Sequence, residues 1–240
     1  MPSRPRYGAV LAALTIPLAA FFSAGTKTPF AQRPARDRTP YDIAASKNVM
    51  VSMRDGVRLA LDIYHPARNG VPAEGRFPVI LERTPYDKGG IESWAKYFVP
   101  RGYIAIGQDV RGRYASEGRW RPHRDDVKDG YDTVKWIGEQ PWCDGNVGTV
   151  GTSYPGGTQH ALAIGSPPYL KTMIPVDAMS DYGRYGIRHN GAFELRWLNW
   201  IFNIGAPNGS DAWRDPAVRN ALLKLGWQVR EYAKGLPLRA

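Results

Sequence analysis

Gly148-Thr149-Val150-Gly151-Thr152-Ser153-Tyr154-Pro155-Gly156-Gly157 is the stretch that decides how this chain is read. A short β-branched run meets glycine, a small residue and a serine, then more glycine, and continues into Thr158-Gln159-His160-Ala161-Leu162-Ala163-Ile164. That order predicts a buried strand reversing sharply into a helix, with Ser153 at the apex. Glycine on both flanks suits the reversal, because the backbone segments approach closely and take φ/ψ values that a Cβ resists. The apex holds the Ser153 hydroxyl clear of both elements, beside the N–H groups that open the helix, and such groups stabilise an oxyanion. This is the geometry of a nucleophile elbow. The generic pattern has glycine two residues after the serine, where this chain has Pro155 and then Gly156. On the pattern alone, an ordinary glycine-rich turn competes with the elbow.

Outward from the elbow, strands and helices alternate. Lys47 to Met53 and Val57 to Tyr64 read as two extended segments joined by Arg54-Asp55-Gly56, a hairpin signal. Phe77 to Glu82 and Tyr103 to Val110 read as core strands. Ile91 to Val99 is expected to be helical, with Trp94, Tyr97 and Phe98 as core packing. Asp125 to Glu139 is a helix opened by acidic residues, with Val127, Tyr131, Val134 and Ile137 on one face. After the elbow helix, Gly165 and Pro167-Pro168 act as a stop, and Leu170 to Val176 gives another strand. This alternation predicts an α/β fold: a mainly parallel, doubly wound sheet preceded by an antiparallel hairpin. From about Ser180 aromatics multiply (Tyr182, Tyr185, Phe193, Trp197, Trp200, Phe202, Trp213, Trp227) and no further strand is expected. That part reads as a helical insertion or cap over the C-terminal edge of the sheet, where ligands bind in such folds.

Composition narrows the function classes. The 240 residues are 43% hydrophobic and 12% aromatic, which fits one ordinary core and is too apolar for disorder. The formal charge of +10 raises polyanion binding, but the arginines are scattered rather than clustered, and no nucleic-acid partner is expected. Residues 1–25 read as a signal peptide: Arg4 and Arg6 precede an apolar core from Ala9 to Phe22, and Ser23-Ala24-Gly25 offers small residues for cleavage. The expectation is a secreted or periplasmic protein with no stable membrane insertion after cleavage; an uncleaved N-terminal anchor is the alternative. Residues 26–45 read as a flexible lead-in rich in Pro, Arg and Thr. The single cysteine, Cys143, allows no intrachain disulfide and reads as a structural thiol. No cofactor or metal is expected.

Four further motifs occur in a fixed order. They are Arg83-Thr84-Pro85-Tyr86-Asp87-Lys88, Gln108-Asp109-Val110-Arg111-Gly112-Arg113-Tyr114-Ala115-Ser116-Glu117-Gly118, Asp129-Gly130-Tyr131-Asp132 with Trp136-Ile137, and Trp142-Cys143-Asp144-Gly145-Asn146-Val147-Gly148 leading into the elbow. Together they resemble the cocaine-esterase-like (CocE/NonD) hydrolases, relatives of X-prolyl dipeptidyl-peptidases, glutaryl-acylases and α-amino-acid ester hydrolases. The resemblance covers roughly Val49 to the C-terminus, and Gly-x-Ser-Tyr-x-Gly is the form that family uses. It implies an α/β-hydrolase core over residues 46–178 and a partial helical cap over residues 179–240, with a C-terminal β domain in family members. It also implies site roles: Ser153 as acylating nucleophile, Tyr86 as the hydroxyl facing the oxyanion hole, and the Tyr154 backbone N–H as the second donor. An alternative for Tyr86 is a packed turn residue with its hydroxyl in water. Arg111 reads as a brace for loops near the site.

The resemblance also implies a carboxylate and a histidine late in the chain order. The four histidines here are His65, His123, His160 and His189. Two precede the elbow, His160 lies about two turns along the elbow helix, and His189 reads as a pocket-lining or a surface residue. The expectation is therefore a nucleophile and oxyanion half-site lacking the acid and base, in the N-terminal part of a longer hydrolase of small ester, amide or peptide substrates. Two other classes compete: a catalytically incompetent fragment that binds a partner through an exposed aromatic surface, and a basic protein that binds polyanions. Oligomeric state is not legible.

Overall fold

The computed structural model describes residues 39–179, 181, 184, 187–204 and 214–234. The expected signal peptide and most of the expected lead-in lie outside these residues, as do Tyr182, Tyr185 and Trp213. Among the described residues no helix is long and apolar enough to cross a membrane.

Seven strands form one sheet. β1 (Asp42–Ser52) and β2 (Arg58–Arg68) make the antiparallel hairpin around Arg54-Asp55-Gly56, and β3 (Val71–Pro72) pairs with β2. β4 (Phe77–Thr84), β5 (Ile104–Asp109), β6 (Cys143–Thr152) and β7 (Leu170–Val176) follow, and the strand order is β1-β2-β5-β4-β6-β7. β5, β4, β6 and β7 run parallel. β1 begins at Asp42, so the end of the expected lead-in is strand: Asp42 pairs with Ala67 and Ile43 with Pro66.

Between parallel strands lie α1 (Glu92–Phe98), α2 (Asp126–Gly138) and α3 (Tyr154–Ile164). One face of the sheet packs against α2 and α3 through Leu59, Leu61, Val79, Leu81, Ile104, Ile106, Val134, Ile137, Val147 and Leu162. Burial of that apolar set is the main stabilising term. The other face packs Tyr64 and Ala105 against Ile91, Ala95 and Val99. The residues that anchor this region are thus one position away from the expected aromatic stripe. Trp94 is half-buried, Tyr97 is exposed and carries Arg101 over its ring at 4.0 Å, and Phe98 stacks on Trp94.

α2 turns two acidic residues inward. Asp126 meets Arg83 of β4 at 3.1 Å, and Asp129 meets Arg111 at 2.6 Å; all four side chains are buried. Arg111 also binds Asp55 in the β1–β2 turn at 2.8 Å, and these two carboxylates hold its guanidinium well above the usual range. The bracing role expected for Arg111 is what the structure shows.

Beyond β7 the chain departs from an all-helical expectation. β8 (Arg188–His189) and β9 (Ala192–Phe193) form a small antiparallel hairpin around Asn190-Gly191, both with φ in the left-handed region at 49° and 92°. That is the backbone of a two-residue hairpin turn favoured by Asn-Gly. α4 (Arg196–Asn199), a π-helical stretch (Trp200–Ile204) and α5 (Pro216–Ala233) follow.

Glu82 gives this core a pH dependence. It sits on the sheet face opposite Leu81, paired in register with Gly107 of β5, with its side chain half-buried. Burial pushes its carboxyl up to about 7. The folded chain then holds a proton that the unfolded chain releases from about pH 4.5, so this contribution is present below that pH and is lost as pH rises through 7. Glu82→Gln is expected to remove the loss and to stabilise the fold at pH 8 by on the order of 2 kcal/mol relative to wild type, with no gain at pH 4. Urea unfolding at the two pH values checks this; equal stability of variant and wild type at pH 8 contradicts it.

Candidate active site

The sheet order places the site. The crossover from β4 to β5 runs one way along the sheet and the crossover from β5 to β6 runs back over β4. Such a switch point opens a crevice at the C-terminal ends of the adjacent strands, here β4 and β6. Tyr86 follows the end of β4 and Ser153 follows the end of β6, so residues far apart in sequence meet there.

Ser153 is the residue between β6 and α3, with φ 63° and ψ −119°. A non-glycine residue in that region costs on the order of 1–3 kcal/mol, and the surroundings hold it there. Its N–H donates to the Val176 carbonyl at 2.9 Å, and its own carbonyl accepts from the Gly156 and Gly157 N–H groups at 3.0 Å. Gly151 is at φ +151°, where an added Cβ would lie 2.5 Å from the Pro155 Cβ; at Gly156 an added Cβ would lie 2.6 Å from the Ala178 Cβ. The turn is tight enough to need both glycines, as the spacing implies. Gln159, one turn into α3, then pins the elbow: its amide nitrogen donates to the carbonyls of Gly151, Pro155 and Ile174, and its oxygen accepts from Thr149 and the Ile174 N–H. The result leaves Ser153 exposed above a buried helix start.

The loop carrying Tyr86 is clamped from below. Asp109, at the end of β5, accepts from the Lys88 N–H at 2.8 Å and from its ammonium at 3.0 Å, while Arg113 donates to the Pro85 carbonyl at 2.9 Å. The Tyr86 N–H donates to Thr84 Oγ1. The Asp109-Val110-Arg111-Gly112-Arg113 motif is thus a scaffold for this loop. Its turn needs Gly112, at φ +70°, because a Cβ would lie 2.2 Å from the Trp120 nitrogen.

Tyr154 opens α3, where backbone N–H groups have no acceptor one turn earlier in the helix. Its phenol accepts from Trp120 Nε1 at 3.2 Å and from the His123 N–H at 3.0 Å. This fastens the 120–123 loop to the elbow. The Tyr86 and Tyr154 rings meet edge to face, 6.2 Å apart. The Tyr86 phenol is half-buried and accepts from Trp200 Nε1 at 3.0 Å. Burial raises its pKa, against the bond from Trp200 and the nearby Arg113 charge.

Ser153 opens onto a cleft of about 270 Å³ lined with Asp177, Met179, Trp197 and Trp200. A smaller apolar pocket of about 40 Å³ brings Ser153 together with Tyr86, Tyr154, His123 and Trp200. Asp177, Trp120 and the pocket position of His123 were not legible in sequence, because β7 and the β5–α2 loop reach the site only through the sheet order. Trp197 and Trp200 belong to the aromatic group expected over the sheet edge.

None of the four histidines hydrogen-bonds the Ser153 hydroxyl. His65 packs against Trp142, His160 faces the Met179 carbonyl at 3.4 Å, and His189 is exposed and paired with Glu194. His123 stacks on Tyr154 with centroids 3.9 Å apart, and burial, helped by Arg83, pushes its pKa down to about 4. His189 is thus the surface residue of its two readings. Cys143 is buried and its thiol is pushed up by burial, in keeping with a structural role. Among the described residues no group of three or more His, Cys, Asp or Glu side chains is placed to hold a metal ion.

Comparison with known proteins agrees with this geometry. The family described as X-Pro dipeptidyl-peptidase (S15 family) matches residues 55–234, which contain both the elbow and the Tyr86 loop. The chain belongs to the S15 family. It is 47% identical over 175 residues to the cocaine esterase of Rhodococcus sp. strain MB1 Bresler, an alignment covering 69% of this chain and 29% of that enzyme. A CocE/NonD family hydrolase from Staphylococcus aureus superposes with a TM-score of 0.59 at 29% identity, covering 69% of this chain and 34% of that one. A solved α-amino acid ester hydrolase gives a TM-score of 0.60 at 28% identity, covering 82% and 34%. The fold is that of the α/β-hydrolases, and the S15 chain described here spans about a third of the length of each of these relatives.

Proposed function

We propose that this S15 chain supplies the nucleophile and the oxyanion donors of an exported serine hydrolase of ester or amide bonds. Ser153 Oγ attacks the substrate carbonyl carbon, its proton passes to a base, and the tetrahedral oxyanion takes hydrogen bonds from the Tyr86 hydroxyl and the Tyr154 N–H. Collapse expels the leaving alcohol or amine with a proton and leaves an acyl-serine, which water then hydrolyses. Each donor aimed at the oxyanion is worth about 3 kcal/mol of barrier. The observation that carries this reading is the exposed Ser153 held at a strained backbone angle in one crevice with the Tyr86 phenol from the neighbouring strand.

The base is not one of the four histidines in this reading, since none bonds Ser153; base and carboxylate are contributed from outside the described residues. The substrate is a small ester, amide or peptide, supported by relatives named for an esterase, an amino acid ester hydrolase and a dipeptidyl-peptidase. Export rests on the basic, apolar and small-residue order of residues 1–25.

Hydrolysis of an activated ester such as p-nitrophenyl acetate by the purified chain tests this. The expected rate is slow, since no base among the described residues bonds Ser153, and it exceeds the residual rate that the oxyanion donors supply without the nucleophile. It drops to that residual rate in Ser153→Ala and survives His→Gln at each of the four histidines. An unchanged rate in Ser153→Ala overturns the nucleophile; a single histidine variant as inactive as Ser153→Ala overturns the external base.

A further inference from the structure

We propose that Trp200 is a positioning residue that aims the Tyr86 O–H into the small apolar pocket that Tyr86 shares with Ser153. The indole N–H of Trp200 lies 3.0 Å from the Tyr86 phenol oxygen. Indole nitrogen only donates, so the phenol oxygen must accept in this pair, and its single proton turns elsewhere. A phenolic O–H stays near the plane of its ring, where it has two seats. With Trp200 donating from one side, the proton takes the other.

The phenol that accepts a hydrogen bond is also the better donor, because polarisation passes along the chain of bonds. Trp200 therefore both sets the direction of the Tyr86 hydroxyl and strengthens it. The indole is itself fixed. Its ring stacks on Tyr154 at 6.4 Å and 17°, and meets Trp120 and Trp197 at 6.0 Å. Trp200 begins a π-helical stretch, a local distortion common at functional sites. It lines the Ser153 cleft as well, so the donor behind Tyr86 and the space in front of Ser153 come from one side chain. Orientation of one phenol by a distant indole links the segment after β9 to the chemistry at the sheet.

The catalytic meaning of this contact rests on the hydrolase reading, whereas the contact itself does not, and Trp200→Phe separates the two. The variant keeps a ring to stack on Tyr154 and removes the donor along with part of the ring volume, which is why the Tyr86 midpoint is read beside the labelling rate. With 13Cζ-tyrosine in the full chain, assigned through Tyr86→Phe, the Tyr86 ionisation midpoint is expected to rise in Trp200→Phe. The maximal rate at which a fluorophosphonate labels Ser153 is expected to fall about fivefold with the half-saturating concentration unchanged. A merely packing role would move the half-saturating concentration or the thermal midpoint and leave the Tyr86 midpoint where it was. If wild type labels and Trp200→Phe matches it in both Tyr86 midpoint and maximal rate, the inference is overturned. If wild type does not label Ser153, the hydrolase reading fails, and the Tyr86 midpoint alone decides: a rise upholds the contact and no change overturns it.

Discussion

Gly151→Ala is expected to destabilise the fold by about 3 kcal/mol or more and to abolish labelling of Ser153 by a fluorophosphonate. Two costs add at this position. The backbone sits at φ +151°, a region that L side chains avoid, and an added Cβ would lie 2.5 Å from the Pro155 Cβ and 3.1 Å from the Pro155 carbonyl. Neither neighbour can yield cheaply. The proline ring is rigid, and its carbonyl already accepts from Thr158 at 2.8 Å and Gln159 at 3.2 Å, while the Gly151 carbonyl accepts from Gln159. Relief must come from displacing the start of α3, which carries Ser153 and the Tyr154 N–H. Gly90→Ala is the matched control: nothing lies within 4 Å of its added Cβ and its φ is not positive, so a change within about 0.5 kcal/mol is expected. Chemical unfolding of the two variants decides this. Equal stabilities would mean that the elbow is not the tight turn seen here.

Asp126→Ala is expected to cost about 3–5 kcal/mol, because it leaves the Arg83 guanidinium buried without its carboxylate. The Arg83 and Asp126 side chains are 1% and 6% exposed. Arg83 also donates to Gln108 Oε1 at 2.7 Å and to the Asp126 carbonyl at 3.1 Å, and Gln108 donates on to Thr133. These bonds tie β4, β5 and α2 together just below the Tyr86 loop. The loss comes from the stranded charge rather than from the pair itself, so Arg83→Met with Asp126→Leu is expected to be more stable than Asp126→Ala. The exposed pair Lys135–Glu139 offers the contrast: Glu139→Ala is expected to cost under about 1 kcal/mol. Unfolding free energies in urea check all three, and a cost for Asp126→Ala no larger than that for Glu139→Ala contradicts the argument.

Much of the core was legible because periodicity and glycine placement speak for themselves. The strand expected at Leu170 to Val176 has those bounds, and the helix expected from Asp125 differs by one residue at each end. Three readings went astray for identifiable reasons. The lead-in expected to reach Ala45 gives way to strand at Asp42, because Asp42–Ser46 has a single β-branched residue and its pairing with β2 overrides weak propensity. The stripe Trp94, Tyr97, Phe98 drew attention by size, whereas the smaller Ile91, Ala95 and Val99 face the sheet. The β8–β9 hairpin carried its own signal in Asn190-Gly191, masked by an expectation of helices alone.

The candidate site divides along the same line. Ser153, Tyr86 and Tyr154 stood out because each lies in a motif, and the structure brings all three to one crevice. Trp120, His123, Asp177 and Gln159 did not, since their roles depend on the strand order that sets β5, β6 and β7 beside one another. A motif announces a strained turn or a clamped loop; it does not announce what packs across from it. Tyr154 shows the difference within one residue. Its backbone position followed from the elbow, but its phenol, fastened to Trp120 and His123, was visible only in three dimensions.

Peptide mass mapping after exposure of the folded chain to a fluorophosphonate is the most direct measure of whether this elbow presents a reactive hydroxyl. The account predicts one phosphonyl adduct per chain, on the peptide containing Ser153, absent in Ser153→Ala and from chain unfolded in urea beforehand. An adduct confined to other hydroxyl residues, or equal modification of folded and unfolded chain, would contradict it.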